Sequence, residues 1–169
     1  MSMLKRTLVL LFLIFPSALF SQQFNRHGNP IVTNYTPEVY GGGEQVWSLV
    51  QDDRGVMYFG TNDNGILEYD GETWRMIPMP ENKSVRSLLK GEDGVIYVGS
   101  LGEFGYLEPQ VNGSLKYVSL INLVPDSLRQ GLGYIYKTQW INGKVYFCLV
   151  SYIFEYNGKS LKCISLGKQ

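Results

Sequence analysis

Apolar and polar positions along this chain fall into short blocks and never into helical stripes. Runs such as Val56-Met57-Tyr58-Phe59 and Val95-Ile96-Tyr97-Val98 are separated by clusters of Gly, Asn and Asp. That pattern predicts strands joined by tight turns. The turns are chemically explicit. Asp52-Asp53-Arg54-Gly55, Glu92-Asp93-Gly94, Asn62-Asp63-Asn64-Gly65 and Asp70-Gly71 each put Gly at a corner that favours positive φ. The apolar blocks are near-continuous, which a sheet covered on both faces demands.

The blocks repeat. The segment from Val46 to Thr61 recurs from Val85 to Ser100, 39 residues later, and Gly65-Ile66-Leu67-Glu68 is matched by Gly105-Tyr106-Leu107-Glu108 with one inserted residue. A third, more divergent copy holds Asn142-Gly143-Lys144-Val145-Tyr146-Phe147-Cys148 and ends in Phe154-Glu155-Tyr156-Asn157-Gly158, echoing Leu67-Glu68-Tyr69-Asp70-Gly71. Each copy reads as a four-stranded meander, the first with strands near Val46–Gln51, Val56–Gly60, Gly65–Tyr69 and Trp74–Pro78. A period near 40 residues with four strands per unit is the signature of a β-propeller. A single sandwich or barrel is the competing fold, but it has no need of internal copies. The expected class is therefore all-β: a partial propeller of about three four-stranded antiparallel blades, preceded by a signal peptide. Its expected parts are a signal peptide (1–21), a lead-in (22–45), blade 1 (46–80), blade 2 (85–120), an inserted connection (121–133) and a divergent blade 3 (134–166). Closed propellers use four to eight blades. About three blades would leave a sheet face bare at each end of the stack, so the sequence reads as a fragment whose open faces meet missing blades or further copies.

The first 21 residues change the setting. Lys5 and Arg6 precede an apolar run from Thr7 to Phe15, Pro16 breaks it, and small residues follow at Ser17, Ala18 and Ser21. This is the layout of a secretory signal with cleavage near Ser21, giving an exported, periplasmic product. An uncleaved anchor is the alternative, although the span from Thr7 to Phe20 is short for a membrane crossing. Cys148 and Cys163 would sit where disulfides are permitted. They fall on the second and fourth strands of one blade, however, and two strand spacings of about 4.8 Å exceed disulfide reach. Two buried, reduced thiols are expected.

Charge and chemistry narrow the function. Fifteen Lys and Arg balance 15 Asp and Glu, and no basic cluster lies beyond the first six residues, which argues against nucleic-acid binding. The single histidine, His27, is expected to be a solvated loop residue, and no HExxH, GxSxG, phosphate loop or zinc-type spacing occurs. No catalytic residue, metal site or cofactor is assigned. Asn62-Asp63-Asn64-Gly65 hints at calcium but lacks the EF-hand ligand spacing and reads as a turn. Gly102-Glu103-Phe104-Gly105 likewise reads as a strand connection. Glu68 and Glu108 are taken as equivalent blade-structural acids. Trp47, Trp74 and Trp140 could stack on sugars, but Trp74 begins an outer strand and is expected to pack between blades.

The lead-in Gly28-Asn29-Pro30-Ile31-Val32-Thr33-Asn34-Tyr35, then Tyr40, Gln45-Val46-Trp47 and Val50-Gln51-Asp52, form one continuous likeness to a known group. It continues through Gly55-Val56-Met57-Tyr58-Phe59-Gly60, Gly65-Ile66-Leu67-Glu68-Tyr69-Asp70-Gly71 and Thr73-Trp74. The chain resembles the N-terminal periplasmic sensor propeller of the two-component regulator propeller family, common in exported sensors of Bacteroidetes-type bacteria. In that family the propeller precedes a triple-tyrosine immunoglobulin-like domain, a membrane helix and a kinase or helix-turn-helix output. None of these lies in this sequence, so neither output nor membrane attachment carries over. The resemblance implies a non-catalytic sensing module for a small-molecule or oligosaccharide ligand. A protein-interaction scaffold, or a fragment of a propeller polysaccharide lyase or hydrolase, are the alternatives. For a ligand, the polar loop residues Asn62, Asp63 and Asn64, with Glu103 on the equivalent loop, are the expected contacts.

Overall fold

The computed structural model describes residues 28 and 31–167. The expected signal segment and His27 lie outside them. The chain divides into two compact units, Met1–Asn34 and Tyr35–Gln169. In the first, the described residues are irregular, with Ile31 and Val32 almost fully exposed. The second unit carries the sheets.

Among the described residues, twelve strands form three four-stranded sheets, each a simple meander. Sheet 1 is β1 (Val46–Gln51), β2 (Met57–Thr61), β3 (Ile66–Tyr69) and β4 (Trp74–Ile77). Sheet 2 is β5 (Val85–Lys90), β6 (Ile96–Ser100), β7 (Phe104–Pro109) and β8 (Leu115–Ser119). Sheet 3 is β9 (Lys137–Ile141), β10 (Lys144–Cys148), β11 (Tyr152–Tyr156) and β12 (Leu161–Ser165). All pairings are antiparallel. A short helix α1 (Pro37–Tyr40) precedes sheet 1, and α2 (Asp126–Arg129) lies in the connection before sheet 3. This is the all-β, partial-propeller architecture that the repeats predict.

The sheets stack as blades. Strand β5 packs on β1 and β2, and β9 packs on β5 and β6. Two apolar seams result. The first joins Tyr58, Ile66 and Ile77 of sheet 1 to Val85, Val98 and Leu107 of sheet 2. The second joins Tyr97 and Phe104 of sheet 2 to Val145, Phe147 and Phe154 of sheet 3. Phe104 lies 4.7 Å from Phe147 and 5.1 Å from Phe154, ring centre to ring centre. Every residue of β6 is buried, as its unbroken apolar run requires of a strand covered on both faces.

A glycine at one repeat position explains how closely the inner strands approach. A Cβ on Gly60 would come within 2.7 Å of Val85 Cγ1, and one on Gly99 within 2.4 Å of Ile135 Cγ2. Sheets 1 and 2 thus each leave a methyl-sized gap that the chain of the next blade fills. Hydroxyls follow the same spacing: Ser48 Oγ accepts from Leu88 N at 2.9 Å, and Ser87 Oγ bonds Thr138 Oγ1 at 2.5 Å.

Four expectations need correction. Register places Glu68 opposite Tyr58 and Tyr106 opposite Tyr97, so Glu108 is not the counterpart of Glu68. The second copy has a shorter β6–β7 turn, closed by Ser100 N to Glu103 O where the first closes Thr61 N to Gly65 O. Glu155, opposite Tyr146, holds the Glu68 place instead. Trp74 does not pack between blades. Its ring sits 4.3 Å from Tyr69 and 5.3 to 5.6 Å from Tyr35, Phe59 and Tyr40, under the chain leading into β1. That same segment partly covers the face expected to be bare: Leu67 is 2% exposed, although Leu49 on the inner strand remains 62% exposed. The cysteines are free and half-buried, not buried. Cys163 pairs across to Phe154 and Cys148 to Ile153, one position along, so their side chains leave opposite faces of the sheet with β11 between them.

Candidate ligand-binding site

At one end of the stack, β1, β5 and the residue just before β9 present the same register position. Trp47 precedes Ser48, which pairs with Gly60. Arg86 precedes Ser87, which pairs with Gly99. Tyr136 precedes Lys137, which pairs with Cys148. The β1 and β5 ladders are both interrupted there, between Val46 and Ser48 and between Val85 and Ser87. Such an irregularity re-aims the side chain that it carries. Trp47 and Arg86 consequently meet across the seam, with the guanidinium carbon 3.7 Å from the indole centre. The same carbon lies 4.6 Å from the Tyr134 ring centre, and Tyr136 lies 5.8 Å from Tyr134. The cation is held by the negative faces of two rings.

Asn62 closes the cluster from the β2–β3 loop. Its Oδ1 faces Trp47 Nε1 at 3.3 Å, Ser84 Oγ at 3.4 Å and an Arg86 Nη at 3.4 Å. These are long bonds, and Arg86 Nε is buried without a partner among the described residues. Leaving one buried donor unpaired costs about 1–3 kcal/mol. Arg86 makes no ion pair with any described carboxylate, whereas Arg54, Arg75 and Arg129 each do. The guanidinium of Arg86 is therefore unneutralised by any described carboxylate. Beside it, Tyr134, Tyr136, Tyr152 and the backbone of Gly131 and Gly133 line a cavity of about 260 Å³.

The residues expected on this rim divide. Asn62 enters the cluster. Asp63 and Asn64 are exposed on the same loop, which is held by a bond from Thr61 Oγ1 to Gly65 O at 2.8 Å. Asn64 takes φ of 73°, the left-handed conformation that asparagine tolerates best among non-glycine residues. Glu103 goes elsewhere. It is 5% exposed and its Oε1 accepts from Tyr117 Oη at 2.8 Å and from Ser119 Oγ at 2.5 Å. Burial, with the adjacent Glu103 charge, pushes the Tyr117 phenol far above its usual range. Glu103 acts here as an internal anchor between β7 and β8.

Arg86, Tyr134 and Tyr136 were not singled out from sequence. A signal existed for Arg86: Val46-Trp47-Ser48-Leu49 aligns with Val85-Arg86-Ser87-Leu88, so a ring and a cation alternate at one place in otherwise like quartets. The approach of Tyr134 depends on the long connection before sheet 3 and had no such mark.

The other end of the stack holds a wider cleft of about 470 Å³, lined by Asp52, Asp53, Arg54 and Asp93 with Leu107 and Pro109 beneath. Its charges are already engaged. Asp52 bonds Arg54 and the Tyr58 hydroxyl, Asp53 pairs with Lys90 across the seam, and Asp93 accepts from Tyr97 Oη at 2.7 Å. Burial works to raise the Asp52 carboxyl, but bonds from Arg54, Val56 N and Tyr58 hold it below its usual range. This end is a structural latch.

Comparison with known proteins agrees with the fold. Residues 40–63 match the family described as two component regulator propeller. No curated protein matches the chain. Among solved structures, it is similar to the extracellular domain of a protein described as a hybrid two component system from B. thetaiotaomicron, at 17% identity and a TM-score of 0.58. The likeness covers 81% of this chain but only 18% of that one. Residues 40–63, from the last residue of α1 through β1 and β2 into the following loop, are thus similar to a two component regulator propeller repeat, and the stacked four-stranded sheets form a partial β-propeller.

Proposed function

We propose that this chain is a non-catalytic, ligand-sensing propeller segment of an exported receptor in two component signal transduction. The observation that carries the reading is the regulator-propeller match at residues 40–63, which includes the inner strand with Trp47 and the loop residue Asn62. The similar structure being an extracellular domain supports the exported setting, as does the signal-like leader. No helix among the described residues is long and apolar enough to cross a membrane. A ligand on the Trp47–Arg86–Tyr134 rim would touch β1, β5 and the connection that leads into β9 at once. Its binding energy would therefore bear on both seams, which is the form of coupling that a sensor needs.

The test is calorimetric titration of the purified chain with a panel of oligosaccharides, followed by product analysis of the same samples. Saccharide binding with unchanged sugar is expected. Cleaved product would make the chain part of a polysaccharide-degrading propeller. Failure to bind any saccharide, with retention of a protein partner, would favour the scaffold reading.

A further inference from the structure

We infer that the Trp47–Arg86–Tyr134 rim recognises a carboxylate-bearing sugar, a uronic acid unit, with Arg86 as its anionic anchor. This deepens the ligand-sensing proposal and rests on it.

The argument begins with the two rings. The Arg86 guanidinium carbon lies over the Trp47 ring at 3.7 Å and over the Tyr134 ring at 4.6 Å. Stacking uses the faces and leaves the in-plane N–H donors for hydrogen bonds. Of those donors, one Nη reaches Asn62 Oδ1 only at 3.4 Å, and Nε is buried without a partner among the described residues, so an incoming carboxylate would be met by the two Nη groups. A planar fork of fixed orientation, with its donors under-used and no described carboxylate paired to it, matches a planar carboxylate in two-pronged geometry. A neutral sugar would leave that charge unanswered.

The surroundings favour a sugar over a free anion. Trp47 is 48% exposed and Tyr136 is 60% exposed, so aromatic surface flanks the cation on the rim. The cavity beside Tyr134, Tyr136 and Tyr152 adds a concave extension of about 260 Å³. Exposed rings suit the apolar faces of pyranose units, and a cation beside them sets the register of a chain carrying a periodic carboxylate. The nearby acids do not neutralise Arg86. Glu103 is consumed by Tyr117 and Ser119, and Asp63 lies exposed with its Oδ1 3.5 Å from Asn62 Nδ2. Asp63 is thus a weak internal competitor, and removing its charge should favour an anionic ligand.

The experiment titrates the purified chain with trisaccharides of galacturonate, glucuronate and mannuronate, each beside its carboxyl-reduced counterpart. At least one uronate should bind, with its reduced form roughly tenfold or more weaker, since charged hydrogen bonds are the stronger class. Arg86→Lys should weaken uronate binding about tenfold because it loses the fork, and Arg86→Met should weaken it further. Asp63→Asn should tighten it a few-fold, and added salt should weaken it in the parent protein but little in Arg86→Met. Thermal melts of the variants establish that each is folded. Equal binding of a uronate and its reduced form, or unchanged uronate affinity in Arg86→Met, would overturn this inference while leaving saccharide sensing in place. Binding of neither form, of any sugar, would overturn both.

Discussion

The first two blades and the third solve the same packing problem with different chemistry. In sheets 1 and 2 the second strand carries a tyrosine, Tyr58 or Tyr97, tied to an aspartate in the preceding turn at 3.1 or 2.7 Å. The position two residues on is Gly60 or Gly99, into which the next blade inserts. In sheet 3 the turn is only Asn142-Gly143, both at positive φ, as a two-residue hairpin requires. No turn aspartate is available, and Tyr146 donates to Glu155 Oε2 on the neighbouring strand at 2.9 Å. Cys148 occupies the glycine place. Tyr58 and Tyr97 are buried and Tyr146 is only half-buried. The lesson is that glycine and the turn aspartate serve the seam with a following blade. Sheet 3 carries a polar tie within the sheet at the same place.

The largest effect that could break this comparison lies in the second seam. Phe147→Ala should cost about 3–5 kcal/mol in urea unfolding, because it opens a cavity beside Phe104 and Tyr97. A smaller loss than for Ile66→Ala, expected at about 2–5 kcal/mol, would mean that the third blade folds apart from the others. Next come the glycines. Gly99→Ala and Gly60→Ala should each destabilise by roughly 1–3 kcal/mol from overpacking, with Gly99 the worse because its neighbour is nearer. Cys148→Ala should be close to neutral in the same assay, and a comparable loss there would show that the third position is also packed against something. Tyr58→Phe should cost about 1 kcal/mol through the bond to Asp52, with a lesser effect for Tyr146→Phe.

The smallest effect is a pH dependence. Burial, reinforced by the charge of Asp52, pushes the Tyr58 phenol up to about 12. Burial likewise raises Tyr97, with Asp93 adding to it. An unfolded tyrosine loses its proton near pH 10. Above that pH the unfolded state binds fewer protons than the folded one, so stability falls as pH rises. The contribution of Tyr58 is complete below pH 10 and is lost by about pH 12. Tyr58→Phe should flatten part of that alkaline decline in melting temperature, and an unchanged slope would show that Tyr58 ionises as readily folded as unfolded.

How much was legible in advance depended on how local the cause was. The first-copy strands were readable to within a residue because apolar runs and turn residues are properties of adjacent positions. The pairing of Glu68 with Glu108 failed because a turn shortened in one copy shifts register without leaving a mark in residue identity. Trp74 was misplaced because its partners, Tyr35 and Tyr40, come from a lead-in with no periodic pattern. At the rim, Asn62 was found as a polar loop residue, whereas Glu103 looked the same in sequence and proved to be an internal anchor. Polarity names a residue that needs a partner, and only the fold says whether that partner is water, a ligand or a neighbouring strand.

The amino-acid order alone determined the all-β class, the blade-sized repeat and the chemistry of the turns, since each rests on short-range sterics and on hydrophobic periodicity. Tertiary structure alone decided that Arg86 meets both Trp47 and Tyr134 and that the two cysteines leave opposite faces of their sheet. Those outcomes depend on strand register and on the approach of one blade to the next, where a shift of a single residue turns every side chain to the other face.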